Sequence, residues 1–136
     1  MTYLAAYLSA IVIFGAIDAG WLSVMGNLVY RPLLGDLLAP TVRIAPAIAF
    51  YLIYPAGIVL FAALPALRSG SVVNALVLGA LLGALAYATY DLTNQATLRV
   101  WPVQITLIDI AYGAFASALA AAAAYSAVRW IGGTVA

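Results

Sequence analysis

Four apolar segments follow one another along the chain, and they constrain its fold more than any other feature. They cover residues 3–25, 44–66, 72–93 and 103–128. A helix of about twenty apolar residues crosses the hydrocarbon core of a bilayer. Only 7% of the 136 residues are charged, whereas soluble domains carry about 25%. We therefore predict an all-α membrane protein, a four-transmembrane-helix antiparallel bundle that forms a single integral membrane domain over residues 1–136.

The segments between the helices set the predicted topology. Residues 26–43 contain Pro32 and Gly35 and are predicted to form a hydrophilic connection. The short stretch "LRSGS" favours an antiparallel hairpin of helices two and three. Pro55 is expected to kink helix two unless neighbouring groups satisfy the carbonyl that it frees. The first segment has no basic n-region, so we interpret it as a retained helix. Four spans put both termini on the same side.

The residue types that are missing exclude several kinds of chemistry. The chain has neither Cys nor His, which excludes disulfides, thiol nucleophiles and Ser–His catalysis. No tightly spaced acidic cluster supports a metal site, and we predict no cofactor. The net charge of +1, without a basic run, argues against a nucleic-acid partner.

Three acidic residues are predicted to lie at one depth in the membrane. Asp18 precedes the end of helix one, Asp91 lies near the end of helix three, and Asp109 follows the start of helix four. At 1.5 Å per residue, Asp18 and Asp109 lie roughly 10 Å from the same membrane face. An Asp inside a membrane marks a functional site by default, although hydrogen bonds between helices are the alternative explanation.

These acids and their helical neighbours form the predicted polar cavity. The candidate cavity residues are Asp18, Trp21, Tyr54, Tyr90, Asp91, Asn94, Arg99, Asp109 and Tyr112. Arg99 is interpreted either as a counter-charge to the carboxylates or as an interfacial anchor. The tryptophans are interpreted mainly as anchors at the membrane interfaces. Small residues at four-residue spacing predict helix packing through Gly79, Gly83, Gly113 and Ser117.

Several short motifs together resemble one family. They are "DAGWL" in helix one, "YPAGIVLF" in helix two, "YDLTN" at the end of helix three, and "WP" followed by "DIAYG" in helix four. With these motifs the sequence resembles domain-of-unknown-function family 2177 over essentially its whole length. The resemblance implies a multi-pass protein of the bacterial inner membrane and no established activity.

Three classes of function remain open from the sequence. The leading hypothesis is a cavity that binds or passes a small amphipathic or lipid-like molecule, with a proton-linked mechanism through an Asp as one version. The second is a membrane enzyme that uses paired carboxylates as general acid and base, or an accessory subunit of lipid modification. The third is a structural bundle that binds a membrane partner protein or a second copy of itself. In each case the lipid bilayer is the expected surrounding.

Overall fold

Four long helices make up almost the whole protein. The computed structural model describes residues 1–135, and these contain no strand. The helices are α1 (Thr2–Leu37), α2 (Ile44–Ser69), α3 (Val72–Thr97) and α4 (Val103–Trp130). Each is long and apolar enough to cross a membrane. The predicted all-α bundle of four membrane-spanning helices is therefore confirmed.

The helix α1 continues well beyond residue 25, where the sequence predicts a connection. A π-helical turn, Gly26–Tyr30, follows the first α-helical part and leads into a short α-helical turn, Arg31–Leu34. Pro32 lies just after the π-helical turn, so its missing N–H coincides with an irregularity of the helix. Helical structure ends at Leu37, shortly after Gly35 takes a positive φ of 50°. The true connection to α2 is therefore short, and Tyr30 belongs to a helix.

Pro55 does not break α2. The helix is α-helical over Ile44–Ile58, forms a π-helical segment at Val59–Ala63 and ends at Ser69. The π-helical segment begins about one turn after Pro55, and such single π turns are a common way for a helix to absorb an irregularity. The tyrosines before Pro55 thus remain on a continuous helix that faces the bundle.

The helix α4 is the centre of the bundle. It packs against all three other helices, most extensively against α3, whereas α1 and α3 make little contact with each other. Half of the most apolar part of α4 is buried, compared with 17% for α1 and for α3. Six of the twelve buried positions of α4 are Gly, Ala or Ser, so the other helices approach its backbone closely.

The close packing of α3 on α4 is carried by glycines. A Cβ placed on Gly79 would lie 2.6 Å from the carbonyl oxygen of Ser117, and one on Gly83 would overlap the backbone of Gly113. Near the other end of α4, a Cβ on Gly133 would lie 3.0 Å from the Thr2 hydroxyl. The first and last parts of the described chain are thus adjacent, as four antiparallel spans require.

Candidate functional site

A cavity of about 660 Å³ opens at one end of the bundle. At this end one connection joins α1 to α2 and another joins α3 to α4. All four helices contribute to its wall, together with the residues that connect α1 to α2. Aromatic rings form much of this wall. They belong to Trp21, Tyr30, Phe50, Tyr51, Tyr87, Tyr90, Trp101 and Tyr112. Two carboxylates, those of Asp18 and Asp109, also line the cavity.

Asp18 is held by two tyrosines from two other helices. Only 6% of the residue is exposed. Its carboxylate accepts a hydrogen bond of 2.7 Å from the Tyr112 hydroxyl on α4 and another from the Tyr51 hydroxyl on α2. Hydrogen bonds to an ionised acceptor are stronger than neutral ones. Asp18 therefore ties α1 to both α2 and α4 at the cavity wall.

Asp109 is held by a chain of donors from α1. The Tyr30 hydroxyl donates to the Asp109 carboxylate, and the Trp21 indole N–H donates to the Tyr30 oxygen at 2.8 Å. The Trp21 ring also stacks on Tyr112, with 4.1 Å between the ring centroids and 11° between the planes. The stacked pair connects the hydrogen-bond partners of Asp18 with those of Asp109. The two carboxylates thus belong to one continuous polar network.

Asp91 differs from the other two acids because it has no hydrogen-bond partner. The residue is fully buried, and within residues 1–135 neither carboxyl oxygen has a partner. The nearby indole N–H of Trp101 is also buried and unpartnered, although it approaches the Asp91 carboxyl. Asp91 and Asp109 are close enough for their charges to interact, as are Asp109 and Asp18. The three acids therefore lie near one another, and Asp91 is the one that does not line the cavity.

The arginines do not neutralise these acids. Among the described residues, Asp91 has no partner and Asp109 has Tyr30, and neither carboxylate is paired with a guanidinium. Arg99 is exposed in the connection after α3 and is not part of the cavity wall. Arg31 does line the cavity, but its side chain is exposed, so it lies at the mouth rather than among the carboxylates.

The residues predicted from the sequence occupy several different positions. Asp18, Trp21, Tyr90, Asp109 and Tyr112 line the cavity. The remaining four do not line it: Asp91 is buried, Arg99 is exposed, Asn94 is half-buried, and Tyr54 hydrogen-bonds Ser117 at 2.8 Å between α2 and α4.

Tyr30, Tyr51 and Trp101 complete the site, although they were not among the candidate cavity residues. Tyr30 lies in the segment that the sequence predicts to be a connection, so its helical position was not anticipated. Tyr51 lies one turn before Tyr54, and the need of its hydroxyl for a partner in the membrane was the available signal. Trp101 lines the cavity, and its indole N–H lies near the Asp91 carboxyl; its predicted role as an interfacial anchor stays a prediction.

The donor set does not form a metal centre. Among residues 1–135, no group of three or more acidic, His or Cys side chains is arranged to hold a metal ion. The network instead combines carboxylates, phenol hydroxyls and indole rings. This arrangement can accept hydrogen bonds from a ligand and present aromatic faces to it.

Comparison with known proteins identifies a family. The family described as "Predicted membrane protein (DUF2177)" matches residues 3–126. The match extends from the start of α1 into the last part of α4, so it includes every residue of the cavity. No curated protein and no solved structure matches the chain.

Proposed function

The chain belongs to the DUF2177 family of predicted membrane proteins, and we propose that it binds or passes a small amphipathic molecule in the cavity of its four-helix bundle. The proposed location is the bacterial inner membrane. One observation carries the proposal: Asp18 and Asp109, on different helices, line one cavity and are oriented by tyrosines rather than neutralised by arginines.

The energetic cost of the acids supports a functional role. An Asp at the centre of a spanning helix costs about 2.5–3.5 kcal/mol on insertion scales. Hydrogen bonds between helices explain Asp18 and Asp109 in part, because each accepts from a tyrosine of another segment. They do not explain Asp91, which no described residue partners. Asp91 is therefore the acid that hydrogen bonds between helices account for least.

The apolar surroundings support an amphipathic ligand. A groove of about 630 Å³ between α1 and α4 has an entirely apolar lining. This groove and the polar cavity share Trp21 and Tyr112, which form their common wall. A molecule with a polar group near the carboxylates and an apolar part along these rings would match both surfaces. Intramembrane acids that face a cavity typically mark such a path.

A cavity-filling substitution tests this proposal. Ala47 lines the cavity on α2, whereas Ala49 is exposed on the same helix and does not line it. Purified protein in nanodiscs is titrated with three dansyl-labelled amphiphiles that carry a cationic, a neutral or an anionic head. We expect at least one to bind the natural protein, Ala47→Trp to weaken its binding about tenfold or more, and Ala49→Trp to leave it unchanged.

A second cavity-filling variant guards against a folding defect. Val42→Trp places the same bulk in the connection between α1 and α2, where Val42 lines the cavity mouth. Size-exclusion profiles establish that each variant is folded before it is titrated. If no amphiphile binds, or if the cavity variants and Ala49→Trp bind equally well, the proposed function is wrong.

A further inference from the structure

We propose that the ligand of this cavity is an organic cation, such as a lipophilic amine or a quaternary ammonium compound, whose positive charge lies beside Asp109. This inference rests on the proposed function and names its ligand class. It follows from the charges of the cavity, from the hydrogen-bond donors that are already used within the protein, and from the aromatic rings of the wall.

The balance of charge in the cavity favours a cation. Two carboxylates line the wall, and a third, Asp91, does not line it but interacts with Asp109 through its charge. Among the described residues, Arg31 supplies the only guanidinium on the wall, and Arg31 is exposed. Charges are screened weakly away from water, so each carboxylate that is ionised makes the potential in the cavity more negative. A ligand with a positive end is attracted there, and one with a negative end is repelled.

The hydrogen bonds within the wall leave carboxylate oxygens available to a ligand that donates. Tyr51 and Tyr112 donate to Asp18, Tyr30 donates to Asp109, and Trp21 donates to Tyr30. These donors are therefore committed to the protein's own acceptors. The carboxylate oxygens keep further lone pairs, because an ionised carboxylate accepts about four hydrogen bonds in all. The carboxylates of Asp18 and Asp109 can thus accept further hydrogen bonds from a ligand, and Trp101 on the same wall keeps one unpartnered indole N–H.

The aromatic rings provide the second half of a cation site. A cation within about 6 Å of a tryptophan or tyrosine ring is attracted to the ring face, by about 2 kcal/mol or more where water is excluded. Two tryptophans line the cavity together with Asp109: Trp21, which stacks on Tyr112, and Trp101, whose indole N–H lies near Asp91. Quaternary ammonium groups are recognised by such combinations of aromatic faces and carboxylates.

Asp91 is an independent indication of the same ligand class. It is fully buried, both of its oxygens lack a partner within residues 1–135, and it lies next to wall residues Trp101 and Asp109. A buried carboxyl without a partner is costly, and a nearby positive charge is the most effective compensation. The described chain supplies no such charge to it. A cation beside Asp109 would also act on Asp91, because Asp91 and Asp109 are close enough for their charges to interact.

A pair of ions with the same shape and opposite charge tests the inference. Tetraphenylphosphonium and tetraphenylborate are titrated into the purified protein, and only binding that Ala47→Trp abolishes is counted. We expect the phosphonium to bind about tenfold or more tightly than the borate. Asp109→Asn should weaken phosphonium binding about tenfold, whereas Arg31→Gln should strengthen it by removing a repulsive charge at the mouth.

A matched control distinguishes a local effect of the Asp109 charge from an effect of the net charge of the protein. Asp36 is exposed near the end of α1 and does not line the cavity. Asp36→Asn removes the same charge as Asp109→Asn and should leave phosphonium binding unchanged. If Asp109→Asn does not give folded protein, Asp91→Asn replaces it, with a smaller expected loss of about threefold.

The outcomes distinguish this inference from the proposed function. Tighter cavity binding of tetraphenylborate, or equal binding of the two ions, overturns the cation inference and leaves a ligand cavity in place. Equal phosphonium binding by Asp36→Asn and Asp109→Asn also overturns it. Failure of both ions and of all three dansyl amphiphiles to bind in the cavity overturns the proposed function itself.

Discussion

Two parts of α4 meet their neighbours in different ways. From Gly113 to Ala121, α4 packs against α3 so closely that the glycines of α3 leave no room for a methyl group. One turn earlier, Asp109 and Tyr112 face a cavity of about 660 Å³ and contact the other helices mainly through hydrogen bonds and stacked rings. The same helix therefore combines a close-packed interface with an open polar one.

The two regions differ in their contribution: the close-packed interface stabilises the bundle, and the polar region forms the cavity. Helices in a membrane associate mainly through close packing of small residues, since lipid is as apolar as the side chains. Hydrogen bonds between membrane helices contribute less, about 0.6 kcal/mol on average. We infer that the α3–α4 interface supplies most of the stability, which leaves the cavity end free to carry acids that cost stability.

The largest effect is expected at the close-packed interface. In Gly83→Ala the new methyl group would overlap the backbone of Gly113 and lie 2.7 Å from the Ser117 hydroxyl oxygen. Such overpacking costs about 1–3 kcal/mol. In Gly15→Ala on α1 the methyl group meets nothing within 4 Å, and the better helix propensity should raise stability by up to about 1 kcal/mol. Thermal unfolding in detergent compares the two. Equal unfolding temperatures would show that the α3–α4 contact is not the main source of stability.

A smaller loss is expected at the polar end. Tyr112→Phe removes the hydroxyl that donates to Asp18 but keeps the ring that stacks on Trp21. Because Tyr51 still donates to Asp18, we expect a loss of about 0.6–1.7 kcal/mol in denaturant unfolding. Tyr90→Phe is the matched control, since Tyr90 is exposed and no hydrogen bond of its hydroxyl is seen in the described chain. A loss in Tyr112→Phe that equals or exceeds the loss in Gly83→Ala would contradict the division between the two regions.

The fold and the acidic layer follow from spacing in the sequence. Four apolar segments determine the number of helices, and the distance of each Asp from a helix end determines its depth. These arguments need only the geometry of a helix and the thickness of a bilayer. For this reason the convergence of Asp18, Asp91 and Asp109 was accessible without a structure.

The details of the site depend on side-chain contacts that cannot be predicted from the spacing of residues in the sequence. Tyr30 reaches Asp109 only because α1 continues through a π-helical turn. The glycines and prolines of that segment predict a connection there instead of a helix. Arg99 lies two residues beyond the end of α3 and stays outside the bundle, where water solvates its charge. Tyr54 is predicted to line the cavity with the acids, but its hydroxyl is hydrogen-bonded with that of Ser117. The positions of these three side chains therefore depend on local partners, on solvent or on a helix irregularity.

The central claim is that the acids serve a ligand rather than the packing of the bundle, and Asp91→Asn tests it most directly. The substitution keeps the shape of the side chain and removes the charge of a fully buried group that no described residue partners. We predict an unfolding temperature in detergent that equals or exceeds that of the natural protein, because the cost of a buried, unpaired charge disappears. A marked fall in the unfolding temperature would contradict the account, since it would show that the carboxylate of Asp91 helps to hold the four helices together.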